Sequence, residues 1–128
     1  MDNQERTSAE EKNINAALLY FELNEEIEKL RSEPGWEKKD RHSITLQKDE
    51  NLRVVLMALH KGTIWKDHKA DGAISVLVIS GKIIFSVGDE KTTLEKNGLV
   101  VLDKPIIHRV EALEETNLLL TVVRVNKE

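Results

Sequence analysis

The sequence predicts an all-β protein, an antiparallel barrel or sandwich, preceded by an extended arm and a short helix. Three observations carry this. From Ser43 onward, short runs rich in β-branched residues alternate with turn signals. No long helical periodicity interrupts them, as a parallel α/β sheet would require. Several runs are apolar at both parities, so both of their faces need cover.

Residues 1–13, MDNQERTSAEEKN, are polar and acidic and are expected to form a flexible N-terminus. Residues 14–42 form the arm and helix. AALLYFEL at 16–23 is apolar but short, and reads as an extended arm. NEEIEKLRSE at 24–33 reads as the helix, with Asn24 as N-cap. Glu25 and Glu26 suit the positive end of its dipole, and Lys29 and Arg31 the negative end. Ile27, Leu30 and Leu23 make a narrow apolar stripe, and Pro34-Gly35 is expected to end the helix. Residues 43–128 form the barrel. The expected strands are SITLQK, LRVVLMALH, AISVLVIS, IIFSV, KTTLE, LVVL, IIHRVEA and NLLLTVVRV. Turns are read at 49–51, 61–62, 81–82, 88–89, 97–98, 104–105 and 114–115. AISVLVIS and NLLLTVV cannot each have a wet face. The arm and helix, or a second copy of the chain, must cover the second one, which points to a homodimer.

Composition narrows the function. The chain has 128 residues, 40% hydrophobic and 33% charged, with a net charge of −4 and no cysteine. That is enough chain for a single domain with a real core. Acids interspersed among the lysines and arginines leave no basic stripe for nucleic acid. No run approaches the ~18 apolar residues of a membrane helix, and the polar start is not a signal peptide. Thiol chemistry and thiolate metal sites are excluded, and a cytoplasmic protein is expected. No serine stands in a histidine–acid pattern and no glycine-rich phosphate loop is present. His42, in a charged stretch, is expected at the surface. Trp36 and Trp65 read as packing residues.

Two histidine-bearing segments remain. The first runs from Gly62 through His68, Ala70 and Ile74 to Gly81. The second runs from Asn97 through Asp103, Pro105 and His108 to Ala112. Over roughly residues 43–125 this pattern resembles the cupin superfamily, whose motifs are G-x5-H-x-H-x3-E-x6-G and G-x5-P-x-G-x2-H-x3-N. The resemblance implies a double-stranded β-helix, the jelly-roll cupin barrel. In that family the two motifs face each other across the interior, and three histidines and a glutamate hold a metal. Here only His68 and His108 match ligand positions. Ala70 and Ile74 cannot coordinate a metal, and Ile106 and Val110, on the same strand face as His108, are inert too. Protein-held zinc, manganese, iron or nickel needs about three imidazole or carboxylate ligands. Two imidazoles alone would hold such a metal weakly, so no firm cofactor is expected.

Three functional readings follow. The first is a cupin of unassigned role that binds a small molecule in an apolar cavity, with His68 and His108 as polar groups and Ala70, Ile74 and Met57 as lining, its incomplete ligand set weighing against an enzyme. The second is a metal-assisted oxygenase or isomerase acting on a small organic substrate, with His60 joining His68 and His108 as the third ligand. The third is an effector-sensing or interaction module. A pair of inert, hydrogen-bonded core histidines is the plain structural alternative to all three.

Overall fold

The computed structural model describes residues 18–68 and 72–124. The expected flexible start at 1–13 and the first residues of the arm lie outside these. Residues 18–22 are irregular, with Leu18 and Tyr20 exposed and Phe21 turned onto the body of the protein.

Helix α1 spans Leu23–Arg31. Its cap is Glu22, whose side chain accepts the Glu25 N–H at 3.1 Å, and not Asn24 as the sequence suggested. An acid reaching the third helical amide satisfies a donor that has no intrahelical partner. Pro34 does not simply end the helical run. It opens a second, short helix, α2 (Pro34–Lys38), at the position where its missing N–H costs nothing. Helix α2 presents Trp36, which is buried. His42 is half-buried and not a free surface residue. Its Nε2 lies 2.7 Å from Glu33 Oε1, and a Cβ on Gly35 would fall 2.7 Å from its ring.

Nine strands follow among the described residues: β1 (Arg41–Lys48), β2 (Leu52–Leu59), β3 (Ile64–His68), β4 (Ala73–Ser80), β5 (Ile83–Val87), β6 (Glu90–Leu94), β7 (Leu99–Leu102), β8 (His108–Ala112) and β9 (Thr116–Val123). The runs at β4, β5 and β7 match expectation residue for residue. Strand β8 starts later than the apolar run IIHRVEA suggested. Strand β3, which carries His68, lacked a clear apolar run of its own. The strands form a five-stranded sheet, β1-β2-β9-β4-β7, and a four-stranded sheet, β3-β8-β5-β6, with every pairing antiparallel. Chain neighbours cross between the sheets, as in a jelly roll. Gly81 sits at φ +100°, and a Cβ there would meet Glu115 O at 2.4 Å, so the β4–β5 turn requires glycine. Asn97, standing where the resembled motif has glycine, adopts φ 71°, a conformation asparagine tolerates better than other side chains.

Two cores result. Between the sheets lie Val55, Met57, Leu59, Ile74, Val76, Val78, Ile83, Phe85, Val110, Leu118 and Leu120, with their neighbours. Outside the five-stranded sheet, Leu46, Leu56 and Ala58 meet Leu30 of α1 and Trp36 of α2. The helices therefore supply part of the second-face cover that the sequence demanded. Leu99, Val101, Val123 and Leu52 remain exposed. No helix is long and apolar enough to cross a membrane among the described residues.

A polar clasp fastens the helices to the strand ends. The Trp36 and His60 rings stack, centroids 3.6 Å apart. His60 Nε2 faces Trp36 O at 2.7 Å and its Nδ1 faces Glu115 Oε2 at 2.9 Å. Both partners only accept, so this geometry requires both ring nitrogens to carry protons. Arg31 donates to Asn117 Oδ1 and Glu115 Oε1, and its guanidinium lies 4.8 Å from the Trp36 ring. The Trp36 carbonyl, and then Glu115, raise the His60 pKa above its ordinary 6.5. The hydrogen bond from His60 holds Glu115 below its ordinary 4.5.

Two predictions follow from this packing. Leu30→Ala removes a side chain that is 1% exposed and should cost about 2–5 kcal/mol in urea denaturation. The His60–Glu115 contribution should be complete between pH 4.5 and 6.5, the ordinary values of the two groups. It should fade as pH rises through the elevated His60 pKa, and fade again as pH falls through the depressed Glu115 pKa. The gap in melting temperature between the parent chain and Glu115→Gln, measured across pH, should therefore peak in that window and narrow on either side.

Candidate functional site

Strands β3 and β8 bring the two motif segments together. Their register pairs Trp65 with Val110 and, after an irregularity, His68 with His108. The two histidines thus stand opposite each other along the backbone. His68 is described here through that pairing only, and Ala70 lies outside the described residues.

His108 is 5% exposed. Its Nδ1 donates to the Ile106 carbonyl at 2.9 Å, which in the neutral ring places the lone pair on Nε2. The ring stacks on Phe85, with centroids 5.2 Å apart and planes 13° apart. Beside it lies a cavity lined by Arg53, Trp65, Ile74, Val76, Val110, Leu118, Leu120 and Val122, with a volume of about 20 Å³. That is room for roughly one water molecule, so a ligand would have to displace side chains. Ile74, at the position where the resembled motif has its carboxylate, is 4% exposed and presents hydrocarbon to the cavity.

Other expected site residues lie elsewhere. Met57 is buried in the main core and does not line the cavity. His60 follows β2 at the Thr116 end of β9 and is held in the clasp with Trp36 and Glu115. It lies near Thr63 and Ala112, at the far end of β8 from His108, about 13 Å along the strand. The structure does not bring His60 to His108. Among the described residues no three His, Asp or Glu side chains converge as a metal site would require. The described donors therefore do not fit the metal that the resembled motif holds.

Arg53, Trp65 and Val122 were missed as lining residues. Alternation along β2 carries the signal for Arg53, since it shares parity with the core-facing Val55, Met57 and Leu59. A second, open groove of about 430 Å³ runs over the outer face of the four-stranded sheet, past Ile84, Ser86, Lys91, Arg109 and Glu111, and also reaches His108.

No protein-family model matches the chain, and no curated protein matches it in sequence. Solved structures do match. A conserved protein of unknown function from Streptococcus pyogenes superimposes with a TM-score of 0.64 at 26% identity, covering 70% of this chain and 79% of that one. A cupin 2 conserved barrel domain protein from Leptotrichia buccalis gives 0.62 at 30% identity, over 66% of this chain and 41% of that one. A cupin superfamily protein from Desulfitobacterium hafniense gives 0.64 at 15% identity, over 66% and 78%. Two facing antiparallel sheets in jelly-roll order, with the motif histidines in register on β3 and β8, agree with these likenesses: the chain has the cupin fold.

Proposed function

We propose that the chain binds a small molecule at the His108 end of the barrel, without a tightly held metal and without catalysing a reaction. The supporting observation is the cavity wall itself. It holds one buried imidazole, oriented by a backbone carbonyl and a stacked phenyl ring, within lining that is apolar apart from Arg53. Apolar surface with a few fixed polar groups is the usual make-up of a ligand pocket. Ile74 replaces a donor with hydrocarbon, and His60 is committed to the clasp, which weighs against the metal-assisted reading. The small volume limits the occupant to a compact molecule.

We also propose a homodimer. Leu99 and Val101 of β7 and Val123 of β9 lie on the outer face of the five-stranded sheet, beyond the cover of the helices, and β7 is the last strand of that sheet. An apolar edge strand of this kind invites pairing with another chain.

Three measurements test these readings. Screening compact organic molecules by protein NMR should yield hits that shift the amides of Ile74, Val76, Val110 and Val122. Binding should weaken about tenfold in His108→Ala, as loss of a fixed polar contact would produce. Hits confined to the outer groove would overturn the barrel reading. Elemental analysis of the purified protein should find no stoichiometric zinc, nickel, manganese or iron; such a metal, lost in His68→Ala, would refute the metal-independent reading. Light scattering should give twice the chain mass for the parent and a monomer for the double variant Leu99→Glu/Val101→Glu.

A further inference from the structure

Among the described residues, Arg53 is the one permanently charged side chain lining the barrel cavity. It lies on β2 opposite Val122, on the strand face that otherwise carries Val55, Met57 and Leu59. It is half-buried, and among the described residues no carboxylate pairs with it. Asp49 is the nearby acid, on the rim that Arg53 shares with Lys48, Leu52, Val122 and Arg124. Its Oδ1 is taken up by the turn, accepting the N–H groups of Asn51 at 2.8 Å and Leu52 at 2.7 Å. A guanidinium that lines a hydrocarbon cavity, with no acid partner among the described residues, offers its fork to an anion from outside.

We infer that Arg53 anchors the carboxylate of a compact apolar carboxylic acid, the class of ligand that the barrel takes. The planar fork of arginine pairs with both oxygens of a carboxylate. The hydrocarbon part of the ligand then lies against Trp65, Ile74, Val110 and Val122, on the side of the cavity where His108 stands. This assignment depends on the barrel being the ligand site. It adds the charge of the ligand and the residue that reads it.

The test compares isovalerate with isovaleramide, which share a hydrocarbon part and differ in charge, by NMR titration of the full chain. Isovalerate should bind about tenfold more tightly than the amide, as a charge-assisted bidentate contact would produce. In Arg53→Met that preference should vanish while the weaker amide binding stays. In Arg53→Lys, which keeps the charge but not the fork, it should be partly retained. A thermal melt and the dispersion of the NMR spectrum establish that each variant is folded. Should the acid and the amide bind equally, or Arg53→Met keep the preference, the assignment of Arg53 is wrong while the barrel reading stands. If neither probe shifts the cavity amides, both are overturned. Shifts confined to the outer-sheet residues Ser86, Lys91 and Arg109 would likewise overturn both, and would place the anion on the outer groove.

Discussion

Three strands of this barrel, β2, β9 and β4, are apolar on both faces, and the rest of the structure answers that constraint. Val55, Met57, Leu118, Leu120, Val76 and Val78 fill the space between the sheets. On the same strands, Leu56, Ala58, Leu119 and Ile79 face the other way. Leaving that second face in water would forfeit a large hydrophobic contribution. Helices α1 and α2 exist to cover part of it, with Leu30 and Trp36 as the inserted side chains. The clasp of Arg31, Trp36, His60, Glu115 and Asn117 then fixes where the helices dock.

The same constraint protects the register. A one-residue slip in a strand with one buried face exposes its whole apolar set. In β2 and β9 a slip exposes nothing of that kind, because both parities are apolar, so register needs other markers. The tight turns at Gly81 and Asn97 and the irregularities in β1, β3 and β4 provide them. The β3 irregularity falls between Trp65 and His68, beside the cavity, where bulges commonly adjust the geometry of a site.

Much of this was legible in the sequence. Strands β4, β5 and β7 declared their ends through flanking turn residues. The two-faced apolar runs announced both the helical cover and the apolar surface that it leaves. The family resemblance implied that the segments of His68 and His108 face each other across the interior, and the structure places them on adjacent, paired strands of one sheet. What stayed hidden was relational. Pro34 reads equally well as a helix stop and a helix start, and only the burial of Trp36 decides. Glu22 caps α1 because the arm turns there, which no local pattern specifies. His60 looked like a donor to the site because it ends an apolar strand, yet the strand carries it to the opposite end of the barrel. Glu115 looked like a solvated turn residue, and its role depends on a histidine far away in the chain. Arg53 was readable by strand parity alone, but its meaning required knowing that no acid among the described residues answers it.

The polar groups of the cavity differ in how they are satisfied, and that difference bears on specificity. His108 is oriented by its own neighbour, the Ile106 carbonyl, so the imidazole is set before any ligand arrives. On the proposed function, the imidazole itself would need no reordering, while the apolar side chains around it would have to move to admit a ligand. Arg53 is only half-buried and keeps contact with water, so a neutral ligand does not strand a fully desolvated charge. The penalty that lets deeply buried polar sites reject a wrong partner by several orders of magnitude is therefore reduced here. On the proposed function, an apolar wall at Ile74 with a water-accessible cation beside it would grade ligands by charge and size. The apolar residue at the carboxylate position of the motif fits that proposal: Ile74 presents hydrocarbon that would hold a ligand's carbon chain, where a glutamate would repel a carboxylate.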